Sequence, residues 1–429
     1  MNKLMAKIYS KELYKIFSVS GARILIQLLV GFLSSKAIAF FIGIAGMGAV
    51  GLVRNFISFF NNFLLLGTQN GIVSSLASQK KIKNEEIFIV SLFWFFLFFS
   101  TLISVIFFIF FDDINQYFFV NQIKSKWSVF LFAISIPFQA ISLLFNSVLN
   151  GKSQYRKVAS IGMITNVLAL VFSVFLMSVY KLQGAITGLI ITSVIMFVIS
   201  TYYFLKIYSF KIFFKPFQFV KQEIFPLLNY SLMSLVSIVM SFAFSYYVRI
   251  KIVDEFSLEY AGYYEAVLRI SGFYMIFINT FVSFYYLPEL AKCSSRQDVI
   301  SLTKEYYKSI IPIFCIGLII LLLGIDFFIP FFFNKSFLVI TPFVKYQVIL
   351  DLMKAICLIL GIRFFAFGKT KGFLLTEIFS FAINFMLFVI AMRFFDFRGV
   401  WYSQIVSSFL YFFILIISFK IYFKKNNLF

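Results

Sequence analysis

Long apolar stretches separated by short basic clusters run through the whole of this 429-residue sequence. Hydrophobic residues make up 62% of the chain and charged residues only 13%, whereas a soluble domain carries roughly 25% charged residues. A water-soluble fold of this length cannot bury so much phenylalanine, isoleucine and leucine. The chain therefore needs lipid as its solvent.

The apolar stretches predict about twelve transmembrane helices, because a helix needs roughly 20 apolar residues to cross a hydrocarbon core of about 30 Å. Several stretches are longer, which indicates tilt or extension beyond the bilayer. The sequence thus predicts an all-α polytopic membrane protein, with spans at 16–42, 49–78, 87–111, 127–150, 157–180, 184–205, 222–248, 261–290, 307–333, 341–367, 371–392 and 399–420.

The basic residues between the spans indicate the orientation of the chain, since Lys and Arg collect in cytoplasmic loops. With the N-terminus inside, 23 basic residues fall on the cytoplasmic side and 8 on the opposite side, where Arg249 is one of them. Both termini are therefore predicted to be cytoplasmic. Residues 43–48 and 249–260 are predicted to lie outside.

Weak internal similarity relates the two halves of the chain. The matches keep the same order and an offset of 215 to 217 residues: 150–153 with 367–370, Gly184 with Gly399, and Ala45-Gly46 before Arg54 with Ala261-Gly262 before Arg269. An even number of spans per half gives a parallel repeat. We predict two six-helix bundles, 1–205 and 222–429, around a central cavity. A basic cytoplasmic linker at 206–221 joins them and lies on the anionic inner leaflet.

Composition excludes several kinds of site. The net charge of +21 would suit nucleic acid, but the charges lie in short clusters between apolar runs and so act as topology signals. The chain has no histidine, and its three cysteines have no metal-binding spacing. We therefore predict no metal, no cofactor, no nucleic-acid partner and no catalytic residues.

Seven basic residues are left inside the predicted spans. A lipid-facing Arg or Lys in mid-membrane costs roughly 2.5–3.5 kcal/mol on insertion scales, so most of them must face protein, water or the interface. Arg23, Lys345 and Arg363 lie near span ends, where snorkelling is an equal explanation. Deeper positions are held by Lys36, Arg54, Arg269 and Lys354. All except Lys345 are candidate substrate-binding residues.

Polar residues share a helix face with two of these basic residues, Arg54 and Arg269. The second span has Arg54, Ser58, Asn61, Asn62 and Gln69 on one face, the eighth has Glu265, Arg269, Gly272, Asn279 and Ser283, and the seventh has a stripe of Ser234, Ser237, Ser241 and Ser245. Such residues either line a wet cavity or join helices by hydrogen bonds. Since the arginine fork matches phosphate, a basic cavity indicates an anionic substrate. The asparagines Asn61, Asn62 and Asn279 are added to the substrate-binding set.

Three acidic residues accompany the buried cations. Glu265 precedes Arg269 by one turn, and Asp351 precedes Lys354 by three residues, so each acid can simply neutralise its neighbour. Glu377 in the eleventh span has no evident partner in its own helix. All three are also candidates for ion coupling.

A set of short motifs in a fixed order resembles one family. They are Ile44-Ala45-Gly46-Met47-Gly48 with Arg54, Gly67 with Asn70-Gly71, Tyr285-Tyr286-Leu287-Pro288-Glu289-Leu290, Asn334-Lys335-Ser336-Phe337, Tyr346-Gln347 and Asp351-Leu352-Met353-Lys354. In this order the chain resembles bacterial Wzx-type flippases for lipid-linked oligosaccharides. These are O-antigen translocases close to the enterobacterial common antigen lipid III flippases, in the multidrug/oligosaccharidyl-lipid/polysaccharide exporter superfamily. Ser74-Ser75 departs from the Lys-Tyr that this family tends to place there.

The resemblance implies alternating access and a bacterial inner-membrane location. The implied cargo is an undecaprenyl-pyrophosphate-linked oligosaccharide, moved from the cytoplasmic to the periplasmic leaflet during lipopolysaccharide biosynthesis. Membrane lipids and other polysaccharide-assembly membrane proteins are the implied partners.

Three other functions are alternatives to the flippase interpretation. A drug/cation antiporter of the same superfamily should carry acids in its cavity, whereas the buried residues here are mainly basic. An O-antigen polymerase or ligase needs a sizeable periplasmic loop, and the predicted outside loops are short. A channel fits the duplicated architecture less well than alternating access does.

Overall fold

Helices form nearly all of the computed structural model, which describes residues 11–77, 84–117, 126–214, 221–291, 293, 295–367 and 370–425. No strand occurs in these ranges. The α-helices are α1 Lys11–Phe41, α2 Gly43–Phe63, α3 Gln69–Ala77, α4 Glu85–Ile109, α5 Phe111–Tyr117, α6 Lys126–Gly151, α7 Tyr155–Leu205, α8 Lys221–Glu255, α9 Leu258–Phe281, α10 Leu287–Ala291, α11 Arg296–Leu323, α12 Ile325–Phe332, α13 Thr341–Ala366, α14 Thr370–Phe395 and α15 Gly399–Lys425. The predicted all-α polytopic fold is confirmed.

Eight stretches of the described chain are long and apolar enough to cross a membrane. Two of them, Tyr155–Leu205 and Thr370–Phe419, hold 51 and 50 residues and each contains two predicted spans. The eight stretches therefore cover ten of the twelve predicted spans. The other two are α9 and α13, whose ionisable residues make them more polar than an ordinary span.

The predicted second span is interrupted, so its polar face is not one continuous helical face. Helix α2 ends at Phe63, and the backbone turns through Leu66 and Gly67, both at positive φ, before α3 begins at Gln69. A Cβ on Gly67 would lie 2.4 Å from the Ser234 Cβ, so only glycine fits there. The helical spacing that joined Gln69 to Arg54 was therefore wrong, although Gln69 Nε2 still donates to the Asn61 carbonyl at 3.3 Å.

The predicted eighth and ninth spans also contain breaks, and in the ninth the break lies between α11 and α12. After α9 the chain forms a π-helical segment at Val282–Tyr286 and then α10. The ninth begins earlier than predicted, because Ser295 and Asp298 form a capping box that starts α11 at Arg296. Hydrophobicity did not show this start, since the first turns of α11 are polar.

Two sharp turns match the internal repeat. Lys181 breaks the long α7 at φ 48, and Asp396 has φ 47 before α15, each three residues before a glycine. A Cβ on Gly184 would lie 1.9 Å from the Leu176 carbonyl oxygen, and one on Gly399 would lie 2.5 Å from that of Ala391. The match of the two glycines thus marks the same tight helix-to-helix turn in both halves. In the matched segment 367–370, residues 368 and 369 lie outside the described residues.

The chain divides into two compact units. Unit 1 holds Met1–Ile42 and Leu52–Leu235, and unit 2 holds Gly43–Gly51 and Val236–Phe429. The first turns of α2 therefore pack with the C-terminal half. The domain boundaries at 205 and 222, and the central cavity, stay predictions.

The beginning of the predicted linker is docked on unit 1. Tyr208 and Ile212 are buried against Phe88, Phe145 and Phe204. These two side chains therefore face protein, and the position of the linker on the anionic inner leaflet stays a prediction. Residues 215–220 of the linker lie outside the described residues.

A half-buried carboxylate at the start of α4 holds this segment by hydrogen bonding. Glu85 accepts a hydrogen bond from the Tyr208 hydroxyl and pairs with Lys152 Nζ at 2.5 Å. Burial, followed by the bond to Glu85, raises the pKa of Tyr208 well above its usual value, so the hydroxyl stays protonated and donates. Glu85 thus joins three segments that are distant in sequence.

We expect Tyr208→Phe to lower the free energy of unfolding by about 1.5–3 kcal/mol, because it removes a hydrogen bond to a charged group. Thermal unfolding of the purified protein in detergent measures this. Tyr155→Phe is the matched control, since Tyr155 is exposed. Equal unfolding midpoints for the two variants would show that the Glu85 contact does not stabilise the fold.

Candidate functional site

A buried carboxylate shared by two arginines lies within unit 2. Glu265 on α9 lies 3.3 Å from Arg249 Nη2 on α8 and 3.8 Å from Arg269 Nε one turn along its own helix. All three side chains are less than 10% exposed. Ser245 accepts a further bond from Arg249, whose guanidinium also lies over the Tyr264 ring at 5.4 Å.

Close packing of α2 on α9 brings the backbone up to this carboxylate. A Cβ on Gly51 would lie 2.6 Å from Glu265 Oε2, and one on Gly48 would lie 2.5 Å from the Leu258 carbonyl oxygen. From the other side, a Cβ on Gly262 would lie 2.1 Å from the Ile44 carbonyl oxygen. Small residues at such positions let membrane helices approach closely. The Ile44–Gly48 motif therefore has a packing role beside Glu265.

Arg249 is the site residue that sequence reasoning missed. It was assigned to an outside loop, but α8 continues to Glu255 and Arg249 is 8% exposed. The prediction was wrong because the seventh span was ended at the first charged residue after the apolar run. One signal was available: Arg249 continues the serine stripe at i+4 from Ser245, on the same helix face.

A second buried carboxylate in unit 2 is held by neutral donors. Asp351 on α13 accepts hydrogen bonds from Ser271 Oγ and the Tyr274 hydroxyl, both at 2.6 Å, and from Gln347 Nε2 at 2.9 Å. Trp401 Nε1 donates to Gln347 Oε1 at 2.9 Å, which fixes the orientation of that amide. Because Ser271 lies two residues after Arg269, this network adjoins the arginine pair along α9.

The structure brings both predicted acid–base neighbours together, but loosely. Lys354 Nζ lies 3.8 Å from Asp351 Oδ1 with 44% of its side chain exposed. Arg269 is equally far from Glu265, whose shorter contact goes to Arg249. Neutralisation of one acid by one neighbour therefore describes neither pair fully, because other groups hold each carboxylate more closely.

The predicted site residues of unit 1 lie on α1 and α2. Arg23 lies against α7, where a Cβ on Gly162 would come 3.0 Å from its Nε. Lys36 is exposed, with its ammonium 5.8 Å from the Phe32 ring centre, and Arg54 is half-buried on α2. Asn61 accepts a hydrogen bond from Gln139. Asn62 is exposed and donates to the Ser58 carbonyl, so its amide serves its own helix.

The remaining predicted residues lie elsewhere in unit 2. Glu377 does have a partner, since the Tyr411 hydroxyl of α15 donates to it at 2.7 Å. Asn279 is exposed near the end of α9. Arg363 is buried, and it lies about 18 Å along α13 from Asp351 at the helical rise of about 1.5 Å per residue. The side chain of Ser283 is not described.

The described residues contain no group of three His, Cys, Asp or Glu side chains that could hold a metal ion. The two buried carboxylates of the site already face arginine, hydroxyl and amide donors. This arrangement can recognise a charged ligand, through the arginines around Glu265 and through Lys354 and the hydrogen-bond donors around Asp351.

These features, helical spans with buried ion pairs, define a polytopic membrane protein. The family model described as polysaccharide biosynthesis protein matches residues 37–342. The chain therefore belongs to this polysaccharide biosynthesis family. No protein in a search of curated sequences matches it.

Solved structures share the fold at low sequence identity. A lipid II flippase, MurJ, in an inward closed conformation is 16% identical, with 95% of this chain and 87% of that chain covered and a TM-score of 0.73. An inward-facing multidrug resistance MATE family transporter of the MOP superfamily is 15% identical, with coverages of 94% and 96% and a TM-score of 0.69. A Vibrio cholerae MATE transporter, VcmN, is 12% identical, with coverages of 97% and 98% and a TM-score of 0.69. The fold is thus that of MurJ and MATE transporters.

Proposed function

We propose that this chain is a Wzx-type flippase. Its proposed cargo is an undecaprenyl-pyrophosphate-linked oligosaccharide, an O-antigen-type repeat unit, moved from the cytoplasmic to the periplasmic leaflet of the bacterial inner membrane by alternating access. Membership of a polysaccharide biosynthesis family supports the sugar part of this proposal. The shared fold of a lipid II flippase supports a lipid-linked cargo.

The observation that carries the proposal is the buried arginine pair around Glu265. Two guanidiniums lie around one carboxylate in a protein interior, so arginines outnumber acids among these three side chains. Buried arginines in a membrane protein are candidates for binding a substrate. A pyrophosphate is a strong anion with oxygens that suit the arginine fork.

In this proposal Arg54, Arg269 and Lys354 bind the pyrophosphate, and Arg249 holds Glu265 so that Arg269 can turn towards the cargo. Lys36, Arg23 and the asparagines of the predicted faces would contact the sugar or guide the headgroup. Glu265, Asp351 and Glu377 are the candidates for ion coupling.

We expect Arg54→Ala and Arg269→Ala each to weaken cargo binding about tenfold or more, because charge-assisted hydrogen bonds contribute roughly 1.5–3 kcal/mol. Complementation of surface-polysaccharide display in a flippase-deficient strain measures the effect, with membrane levels checked. Arg→Lys at the same positions should also impair display, since lysine loses the bidentate fork.

Arg393→Ala is the matched control, because Arg393 lies exposed in the last turn of α14. It should leave display unchanged. Normal display by the Arg54→Ala/Arg269→Ala double variant at normal membrane level would refute the cationic site and leave both arginines with a structural role.

A drug/cation antiporter is the second candidate, favoured by the shared fold of MATE transporters. The buried acids argue against an antiporter, because Glu265 and Asp351 already pair with basic residues or accept hydrogen bonds within the protein. Expression in an efflux-deficient strain separates the two functions. Resistance to cationic compounds without restored polysaccharide display would favour the antiporter.

A further inference from the structure

A cleft in unit 2 lies away from the Glu265 and Asp351 networks. It opens between α11, α13 and α15 and has about 540 Å³ of space not filled by protein atoms, its mouth included. Its walls combine two arginines with five apolar side chains: Arg296, Arg363, Val299, Ile300, Leu360, Ile416 and Phe419.

Arg363 forms the floor of this cleft and is only 6% exposed. One Nη2 bond goes to Thr303 Oγ1, and the guanidinium lies over the Phe419 ring at 4.5 Å. Among the described residues, Arg363 Nε meets no hydrogen-bond acceptor and no carboxylate lies within ion-pair distance of the guanidinium. An arginine has five N–H donors, so most of this group's capacity is open to a ligand.

The hydroxyl that holds Arg363 is itself fully used. Thr303 donates its one proton to the Val299 carbonyl at 2.6 Å, so it accepts from both Arg363 and the Tyr286 hydroxyl. Tyr286 ends the π-helical segment after α9. Arg363 is therefore fixed in direction by a neutral acceptor that leaves its charge uncompensated.

The second arginine, Arg296, is exposed at the first position of α11. Its side chain therefore adds an exposed positive charge to the cleft lining. Ile300 follows one turn later and is 40% exposed, so apolar surface continues from the charged mouth. Cationic and apolar surfaces within one cleft match a ligand with both a phosphate and a hydrocarbon chain.

We propose that this cleft binds the phosphate of an anionic phospholipid, with Arg363 and Arg296 on the phosphate and an acyl chain along Val299, Ile300 and Ile416. The site goes beyond the proposed function, because it needs no transported cargo. A membrane lipid meets this cleft from the bilayer itself. The buried arginine charge is then neutralised without an acidic side chain.

Native mass spectrometry of the full-length protein in detergent tests the site, with phosphatidylglycerol, phosphatidylcholine or inorganic phosphate added in separate arms. Phosphatidylglycerol should bind best. Arg363→Gln and Arg296→Gln should each weaken its binding about tenfold, the loss of one charge-assisted contact. Ile300→Trp should also weaken it by filling the acyl path, with no change of charge.

Arg393→Gln is the control and should bind phosphatidylglycerol like the unmodified protein. Since Arg363 is buried and its variant could misfold, the exposed Arg296 and Ile300 variants decide the outcome. Equal binding of phosphatidylglycerol and phosphatidylcholine, or unchanged binding by both exposed-residue variants, would overturn the site. Binding of inorganic phosphate as tight as that of phosphatidylglycerol would overturn the lipid assignment.

Discussion

Replacing Glu265 with glutamine is expected to destabilise the protein by about 3–5 kcal/mol, the usual cost of removing one partner from a buried ion pair. Arg249 and Arg269 would then face each other with no carboxylate between them. The expected result is a markedly lower unfolding midpoint in detergent and a reduced membrane level, measured on the purified protein and on isolated membranes.

The chain offers a matched control for this substitution. Glu255 pairs with Lys251 at the same 3.3 Å as Glu265 with Arg249, but both of these side chains are about 40% exposed. An exposed pair contributes roughly 0.2–1 kcal/mol, so Glu255→Gln should change the unfolding midpoint little. If the two glutamine variants unfold at the same temperature, the Glu265 cluster is not a stabilising feature of the fold.

A double-mutant cycle separates the contributions of Arg249 and Arg269 to the stability of the Glu265 cluster. Arg249→Gln combined with Glu265→Gln should be less destabilising than the sum of the single changes. The reason is that the double variant no longer leaves one member of the Arg249–Glu265 pair buried without the other. Additive effects would instead mean that Glu265 acts mainly through Arg269.

Hydrophobicity alone predicted the helices of this protein well, and failed where polar residues continue a helix. Ten predicted spans overlap apolar stretches of the structure, and the two polar ones correspond to α9 and α13. The seventh span was ended too early at Arg249, and the ninth was begun too late at a capped polar turn. In both cases the helix is continued by hydrogen bonds and ion pairs that a hydropathy rule does not weigh.

The candidate site shows a similar division. Pairing of Glu265 with Arg269 and of Asp351 with Lys354 followed from spacing along one helix. The closer partners, such as Arg249 for Glu265 and Tyr274 for Asp351, come from sequence separations or helix faces that no local rule specifies. Helical spacing finds neighbours on one helix, whereas contacts between helices depend on how closely their backbones pack.

Three glycines set that close packing, and Gly262 is the most restrictive of them. A Cβ added there would lie 2.1 Å from the carbonyl oxygen of Ile44, which is backbone and cannot rotate away. We expect Gly262→Ala to push α2 from α9 and to cost about 3 kcal/mol or more, the upper part of the range for overpacking. The shift would also displace Glu265, which lies three residues further along α9, from Arg249. Unfolding midpoint and surface-polysaccharide display should therefore fall together.

Gly272→Ala is the control for this change, because Gly272 lies on the same helix and, apart from the nearby backbone of that helix, no atom of the described residues lies within 4 Å of a Cβ placed there. Alanine is the better helix former, so this variant should be neutral or more stable by up to about 1 kcal/mol. Comparing the two variants removes the general effect of a glycine-to-alanine change in α9 and leaves the contact with Ile44. Unfolding midpoints that agree for Gly262→Ala and Gly272→Ala would show that α2 and α9 do not pack this closely, and the position of Glu265 would then need another explanation.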